Sequence, residues 1–262
     1  MKIQIFQVDA FTNKLFGGNP AAVCVLHTWL SEPVMQAIAE ENNLAETAFI
    51  LQENGRYHIR WFTPVIEVDL CGHATLAAAH VIFTYLHHTS DTIEFSSLRS
   101  GLLTVSRIDG LLTLNFPVDV FSKVETPLVL AEALGIEPME TYRGKTDYMV
   151  VLPSEKDVQD LTPDLQLLSV LEVRGVVVTA VGDKVDFVSR FFGPRSGINE
   201  DPVTGSSHTT LVPYWSKELD KQKLSARQLS ARGGQLWCTM LGERVAISGH
   251  AVTYLKGEIE VG

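Results

Sequence analysis

The chain lacks several kinds of sequence, and each absence excludes a class of protein. It has only three cysteines, Cys24, Cys71 and Cys238, and their wide spacing is typical of reduced thiols rather than of a disulfide framework. The longest apolar run, residues 75–86, is too short and too interrupted to span a bilayer. The first residues lack the basic and apolar pattern of a signal peptide. We therefore expect a cytoplasmic protein.

Positive charge is also scarce. The 21 Lys and Arg residues are outnumbered by 31 Asp and Glu residues, which gives a net charge of −10. This balance argues against nucleic acid or an anionic membrane as partner, because both require clustered positive charge. It is compatible with a small anionic substrate, since a local site can still be positive. Gly17-Gly18 matches neither a dinucleotide nor a phosphate-loop fingerprint. The spacings typical of metal sites are absent too, so we expect no metal.

Most of the chain carries strand patterns, and a few segments carry helical ones. The pattern predicts helices from Ser31 to about Asn42, over 72–87, over 128–134 with Gly135 as C-cap, and over 206–219. Pro213 predicts a kink or an early break in the last of these. Alternating or β-branched patterns predict strands at residues 3–9, 21–26, 44–50, 57–62, 93–95, 102–106, 111–116, 148–152, 176–181, 185–192, 228–231, 236–240, 245–248 and 252–259.

One pattern occurs twice. Cys71-Gly72-His73-Ala74-Thr75 follows Arg60-Trp61-Phe62-Thr63-Pro64, and Asp201-Pro202-Val203-Thr204-Gly205-Ser206-Ser207-His208 follows Arg190-Phe191-Phe192-Gly193-Pro194. Two copies of strand, polar turn, Gly and helix indicate a duplicated domain. Because the helix of residues 72–87 is apolar on nearly every face, a sheet must curl around it. We therefore predict an α+β fold of two pseudo-symmetric lobes, residues 1–117 and 118–262, each a curled, mainly antiparallel sheet around a central helix. The last strand could return to the first lobe.

The two helix starts, if they face each other, would enclose a cleft with free backbone N–H groups on both sides. In the first half, Glu46 has small or apolar neighbours, so its carboxyl could lose water and exchange protons near neutral pH. The alternative is a solvent-facing Glu. His73 lies at a helix N-terminus, where the dipole favours a neutral imidazole, or it only packs. Cys71 is a nucleophile, an acid/base or an inert thiol, and His80 is expected to pack outside the site.

In the second half, Asp201 and Ser206 bracket the turn. Asp201 could orient a His or take a proton, and Ser206 could hold a carboxylate together with the N–H groups of Gly205 and Ser207. The alternative is that these side chains only cap the helix. A hydrolase triad of Asp201, Ser206 and His208 is disfavoured, because all three lie within one turn and helix start and no G-x-S-x-G motif is present.

Four collinear motifs, together with Arg232-Gly233-Gly234, make the chain resemble the PhzF-like family of phenazine biosynthesis proteins. The resemblance runs from Ile5 to about Gly257. The motifs are Phe16-Gly17-Gly18-Asn19-Pro20-Ala21-Ala22-Val23, Asn43-Leu44-Ala45-Glu46-Thr47-Ala48-Phe49, Leu70-Cys71-Gly72-His73-Ala74-Thr75 and residues 201–208 as quoted above.

The resemblance implies a fold like that of diaminopimelate epimerase, with the site between two lobes. It also implies a cofactor-free isomerase that moves a proton on carbon, as in the family's isomerisation of trans-2,3-dihydro-3-hydroxyanthranilate. The resemblance further implies a homodimer, because relatives usually form one. In this family the position of Glu46 is the acid/base, the positions of His73, Asp201 and Ser206 line the site, and the N–H groups at Gly72 and Gly205 receive a substrate carboxylate.

One departure bears on the chemistry. The epimerases use one Cys from each half, whereas this chain has Cys71 and Thr204, so racemisation by two thiols is disfavoured. Two alternatives to the isomerase stay open at this point. One is a protein that binds a carboxylated metabolite without converting it, and the other is an enzyme that depends on Cys71.

Overall fold

The computed structural model covers residues 1–262 and is mostly sheet. The elements in the first part of the chain are β1 (Lys2–Ala10), β2 (Asn19–Leu26), α1 (Glu32–Asn42), β3 (Glu46–Glu53), β4 (Arg56–Phe62), β5 (Glu67–Val68), α2 (Gly72–Tyr85), β6 (Thr92–Ser97), β7 (Gly101–Ile108) and β8 (Leu111–Pro117). They are followed by β9 (Ser122–Val124), α3 (Leu128–Leu134), β10 (Glu140–Arg143), β11 (Asp147–Val151), α4 (Glu155–Asp160), α5 (Leu165–Ser169), β12 (Gly175–Val181), β13 (Phe187–Gly193) and β14 (Ile198–Asp201). The last elements are α6 (His208–Glu218), β15 (Lys223–Gln228), β16 (Gly234–Leu241), β17 (Arg244–Gly249) and β18 (Ala251–Glu260), and short 3-10 turns lie at Pro194–Ser196 and Gly205–Ser207.

The chain divides into two compact units, each with its own core. Unit 1 consists of Met1–Asn115 and Ser248–Gly262, and unit 2 consists of Phe116–Ile247. The predicted α+β class is confirmed, with mainly antiparallel strands and few helices. None of the helices has the length and apolarity needed to cross a lipid bilayer.

Both units pair their strands in the same order. In unit 1, β1 is antiparallel to β2, β2 is parallel to β3, and β3 is antiparallel to β4. β4 is then antiparallel to β5 and parallel to β6, which is antiparallel to β7. In unit 2, the strands from β10 to β16 repeat this series of pairings step by step. This common order is the structural form of the repeat seen in the sequence.

The central helix of unit 1 is the predicted apolar one. Ten of the 14 residues of α2 are buried, from His73 to Phe83 with only His80 half-exposed. α2 packs against β1, β2, β3, β7 and β18. Since full burial of a large aliphatic side chain contributes about 1.5–3 kcal/mol, side chains such as Leu76, Val81 and Ile82 make this helix a main source of stability in unit 1.

The central helix of unit 2 differs from the prediction in two ways. The α-helix begins at His208, because Gly205–Ser207 forms a 3-10 turn before it. Pro213 does not break it, and the helix continues to Glu218. A proline removes the N–H that would bond the carbonyl four residues earlier. That carbonyl, of Thr209, instead accepts a hydrogen bond from the backbone N–H of Asp119 at 3.1 Å.

Several local predictions were inaccurate. The strand predicted over residues 228–231 lies earlier in the chain, as β15, because its alternating buried residues are Leu224, Ala226 and Gln228. The helix predicted from Ser31 begins at Glu32, and Ser31 occupies its N-cap without a capping hydrogen bond from its side chain. The sequence patterns also missed six short elements, namely β5, β9, β10, β14, α4 and α5.

Candidate active site

The start of α2 in unit 1 brings a carboxyl, an imidazole and a thiol together. Glu46 is the first residue of β3, and its Oε2 lies 3.1 Å from Nε2 of His73. The two side chains are 12% and 6% exposed, so the alternative of a solvent-facing Glu46 is wrong. Sγ of Cys71 lies 3.5 Å from Nδ1 of the same ring. Three of the residues singled out in the first half therefore lie in contact.

The charge state expected for His73 was wrong. Burial of the ring opposes protonation, but the Cys71 sulfur and the Glu46 carboxylate act the other way and raise the pKa of His73 well above its ordinary value. Burial also raises the pKa of the Cys71 thiol, so near neutral pH this side chain is uncharged. The carboxylate of Glu46 is then the neighbour that favours imidazolium. Its charge lies 3.1 Å away, and it outweighs the helix dipole on which the expectation rested.

Asn19 is a further member of this group. It belongs to the first family motif, but no role was predicted for it. Its buried amide contacts Nδ1 of His73, with 3.2 Å between the two nitrogens. The assigned amide orientation, with the NH2 group facing the ring, suits a neutral imidazole that carries its proton on Nε2. Turning the amide by half a rotation presents Oδ1 to Nδ1–H and suits the imidazolium. Asn19 can therefore accompany a change in the protonation of His73.

The same three side chains are the donor types that bind zinc. One ligand atom each from Glu46, Cys71 and His73 lies within 4.8 Å of the others. A tetrahedral zinc site places its ligands about 2.0–2.3 Å from the metal. The 4.0 Å between Sγ of Cys71 and Nε2 of His73 is somewhat wider than such a site requires, so metal binding would need small movements. The observed contacts describe a proton-sharing group at least as well.

An ion pair holds the turn that leads to this group. Both oxygens of Glu67 accept hydrogen bonds from Arg60, at 2.6 and 2.7 Å, and the guanidinium lies over the ring of Phe62. Glu67 is five residues before Gly72. The pair therefore ties β4 to the chain just before the start of α2. His80 lies elsewhere, bonded to Thr253 at 2.9 Å, as expected for a packing residue.

Unit 2 has the same frame with different side chains. Glu200 is five residues before Gly205, and it accepts two hydrogen bonds from Arg190, which lies over the ring of Phe192. Thr204 takes the position of Cys71. Its hydroxyl donates to Oδ2 of Asp201, and its backbone N–H donates to Oε1 of Gln228 at 2.8 Å.

Gln228 is the counterpart of Asn19 in being a buried amide that sequence analysis missed. Its Nε2 donates to the carbonyl of Asp201 at 2.7 Å and contacts the hydroxyl of Thr204 at 3.1 Å. Asp201, Thr204 and Gln228 are each less than a tenth exposed. Together they fix the turn from both sides. The strand position of Gln228, at the end of β15, could not be read from the sequence because β15 was placed several residues too late.

The remaining residues predicted for the second half lie at the 3-10 turn. Gly205 and Ser207 are buried there, and the hydroxyl of Ser207 has no hydrogen-bond partner. Ser206 is half-buried, and its hydroxyl lies 3.0 Å from Nη1 of Arg174. His208 contacts the carbonyl of Thr204 through Nδ1 at 3.0 Å, and burial lowers its pKa to about 4. His208 is thus a neutral packing residue, which agrees with rejecting a hydrolase triad.

Comparison with known proteins identifies this fold and these motifs. Residues 8–257 match the PhzC-PhzF family of phenazine biosynthesis-like proteins. The chain belongs to this family. It is 50% identical, over the full length of both chains, to a protein of Pseudomonas aeruginosa described as an uncharacterized isomerase. The crystal structure of a PhzF family protein from Enterococcus faecalis superimposes with a TM-score of 0.97 at 48% identity and covers 100% of both chains.

More distant structures extend the comparison at the level of the fold alone. A hydroxyproline epimerase from Agrobacterium vitis is 10% identical, with a TM-score of 0.63 over 98% of this chain and 91% of the other. The predicted epimerase-like fold of this PhzF-family chain is therefore confirmed.

Proposed function

We propose that this PhzF-family protein is an isomerase that moves a proton between carbons of a small carboxylated metabolite without a cofactor. The isomerase class is supported by the names of full-length relatives at 43% to 51% identity. The observation that carries the proposal is the carboxyl of Glu46, which is 88% removed from solvent and lies 3.1 Å from His73 at the start of α2. A carboxyl group with so little water around it is suited to both taking and returning a proton.

In the proposed reaction, Glu46 acts first as base and then as acid. Its carboxylate takes the proton from one carbon of the substrate, and the electron pair of that C–H bond moves into the adjacent unsaturated system. The resulting carboxylic acid returns the proton to another carbon of that system. Atoms and electrons balance within substrate and Glu46, so the net change is an isomerisation. Imidazolium at His73 keeps Glu46 ionised before substrate binds.

The substrate carboxylate is assigned to backbone N–H groups and to Ser206 and Ser207. A helix N-terminus presents unsatisfied N–H groups to an anion, and Gly72 and Gly205 occupy the two corresponding positions. We also assign an acid–base role to Asp201, because its carboxylate lies at the second turn and accepts the hydrogen bond of the Thr204 hydroxyl. That both helix starts serve one substrate stays a prediction.

Cys71 supports a second candidate, an enzyme that uses its thiol. The sulfur contacts the ring of His73, which is the arrangement of an activated nucleophile. Two observations weigh against it. Burial raises the pKa of Cys71, which lowers the thiolate fraction, and Thr204 stands where a two-thiol epimerase needs a second Cys.

The proposal is tested by hydrogen exchange on carbon. We would incubate the protein with a panel of cyclic and acyclic amino and hydroxy carboxylates in D₂O, and follow deuterium uptake and isomer formation by NMR and mass spectrometry. An isomerase of this type incorporates solvent deuterium at the carbon that receives the proton. Saturable binding of panel members with no exchange and no new isomer would instead establish a binding protein without catalysis.

A further inference from the structure

Arg174 in unit 2 touches Ser206, a proposed substrate-binding residue, although it belongs to none of the family motifs and has no part in the proposed reaction. It directly precedes β12, and its Nη1 lies 3.0 Å from the hydroxyl of Ser206. Its Nε donates to Oδ1 of Asp147 at 2.9 Å, and its Nη2 donates to the other oxygen of the same carboxylate. The ring of Phe191 lies below the guanidinium, 5.3 Å away. The Arg174 head group is therefore held in one orientation from three sides.

The location of Arg174 corresponds to that of Glu46 in unit 1. Arg60 pairs with Phe49 in unit 1, and Arg190 pairs with Val178 in unit 2. Glu46 is three residues before Phe49 and Gly175 is three residues before Val178, so Gly175 takes the position of Glu46. A Cβ atom at Gly175 would lie 2.3 Å from the ring of Phe191, so no side chain fits there.

The polar side chain in unit 2 comes from the neighbouring residue, Arg174. Glu46 contacts the residue after Gly72, and Arg174 contacts the residue after Gly205. The same place in the frame thus carries a proton acceptor in one unit and a cationic donor in the other.

The contact with Arg174 determines whether the Ser206 hydroxyl donates or accepts hydrogen bonds. A guanidinium only donates hydrogen bonds, so Oγ of Ser206 must accept from Arg174. The hydrogen of the hydroxyl is then left for a different acceptor. A ligand carboxylate near the turn would meet a donor whose oxygen is already fixed, which reduces the entropy lost on binding.

The net charge around Arg174 contributes less to binding of a ligand carboxylate than the orientation of the Ser206 hydroxyl does. Asp147 neutralises Arg174, and the negative charges of Asp201 and Asp119 also act on the guanidinium. The local balance is therefore acidic, and a carboxylate is favoured by directed donors rather than by a positive field.

We propose that Arg174 is a positioning residue which, held by Asp147, keeps the Ser206 hydroxyl as a donor for a ligand carboxylate. The inference rests on the proposed function only in taking a carboxylate as ligand. It requires neither turnover nor Glu46, and it concerns residues of unit 2 alone.

The test uses benzoate, with neutral benzamide as a probe of the same shape. Binding to the full-length protein is followed by ¹H–¹⁵N NMR at the backbone amides of Gly205 and Ser207. We expect Arg174→Gln and Ser206→Ala each to weaken benzoate binding about ten-fold, the effect of losing one hydrogen bond to a charged group. Because both changes remove the same interaction, the double variant should lose little more than either single one. Benzamide binding should be unchanged throughout.

Further variants separate orientation from charge and from folding. Arg195→Gln removes one positive charge from an exposed position that contacts the Leu171 carbonyl and not Ser206, so it should bind benzoate like the wild type. Asp147→Asn keeps the charge of Arg174 but replaces one of the two oxygens that hold it with an NH2 donor, so the two-point anchor is lost. It should weaken benzoate binding in a protein that retains both Arg174 and Ser206. This variant and Ser206→Ala keep the proposal testable if Arg174→Gln does not fold.

Two results would overturn the inference. One is benzoate binding in Arg174→Gln or Asp147→Asn equal to that of the wild type, and the other is no saturable benzoate binding at Gly205 and Ser207 in the wild type. Failure of the proposed function shows separately, as benzoate binding that depends on Arg174 in a protein that exchanges no substrate hydrogen in D₂O.

Discussion

The two helix starts of this PhzF-family protein have the same frame and opposite chemistry. Each has an Arg on a strand, a Phe two residues later, and a Glu five residues before the Gly of the turn. In both units the Arg and the Glu form an ion pair with two hydrogen bonds. In unit 1 the frame carries Glu46 against His73, and in unit 2 it carries Arg174 against Ser206. The repeated ion pair holds the backbone in both units, and the side chains beside it differ.

The two histidines near these turns show the same contrast. His73 contacts a carboxylate, which favours its charged form, whereas His208 contacts a backbone carbonyl in a setting where burial lowers its pKa to about 4. Residue type alone therefore does not set the charge at either helix start. At His73 the carboxylate within contact distance favours the charged form, and at His208 burial favours the neutral one.

The largest expected difference between the two starts is in turnover. Glu46→Gln removes the proposed proton carrier and should lower turnover by at least about 10²–10⁴-fold. Asp201→Asn should cost less, about ten-fold to a hundred-fold, because a hydrogen bond to a charged group is lost but the proton carrier remains. Initial rates on a substrate found in the D₂O panel, with thermal unfolding as the control for folding, give both values. Comparable activity in Glu46→Gln would remove Glu46 from the mechanism.

The next effect concerns stability in acid. The folded state holds the pKa of His208 near 4 against an ordinary value of 6.5. The unfolded chain therefore binds this proton more readily, and stability falls as the pH falls from 6.5 to 4, by about 3 kcal/mol. His208→Gln should flatten this part of the curve in urea unfolding between pH 4 and pH 8. An unchanged slope would show that His208 is not buried in its neutral form.

His73 should behave in the opposite sense. Its pKa is raised in the folded state, so its contribution to stability is complete below the ordinary pKa of 6.5 and is lost as the pH rises through the raised value. Relative to His73→Gln, the wild type should lose stability on the alkaline side. A difference curve that instead falls in acid would mean that His73 is neutral in the folded protein.

A smaller difference is expected between the two ion pairs. Breaking a buried pair costs about 3–5 kcal/mol and an exposed pair about 0–1 kcal/mol, and these partly buried pairs lie between. Glu67→Gln should destabilise more than Glu200→Gln, because Arg190 keeps three carbonyl partners, those of Val158, Gln159 and Leu161. Arg60 keeps only Glu32, whose side chain is 65% exposed. Free energies of urea unfolding for the two variants should show this order, and the reverse order would contradict it.

The smallest effect is expected at Cys71. If Glu46 carries the proton, Cys71→Ala should change turnover by less than about ten-fold, and a chelator such as EDTA should leave the rate unchanged. Cys238→Ala is the matched control, because Cys238 is a buried thiol on β16, outside the Glu46–His73 group. Loss of activity in Cys71→Ala alone would favour the thiol enzyme, and loss with EDTA would favour a metal at Glu46, Cys71 and His73.

Local signals predicted the parts of the fold that local physics determines. The continuous apolar pattern of α2 and the left-handed Gly135 after α3 both appear as expected. α4 and α5 were missed because helices of six and five residues are too short to show a helical period, although the side chains of Ser154 and Asp164 cap them.

The site was predictable only in part, because the missing members come from distant parts of the chain. Asn19, Gln228 and Arg174 lie on or beside strands whose partners the sequence does not reveal. One signal was available: Glu67 and Glu200 stand at the same distance before the two turn glycines. The charge of His73 could not be predicted, since it depends on a carboxylate 27 positions away that only the fold brings into contact.

Pro213 shows how far such dependence extends. The amide of Asp119 takes over the bond that the proline cannot make, and the carboxylate of Asp119 also accepts a hydrogen bond from Thr210 at 3.1 Å. The first turns of α6 are therefore completed by a residue some ninety positions upstream, in the connection between the two repeats. An insertion or deletion near Asp119 would loosen the helix that carries Ser206 and Ser207 at its start. The connecting segment should therefore tolerate few insertions or deletions, because α6 depends on its hydrogen bonds although the two are far apart in the sequence.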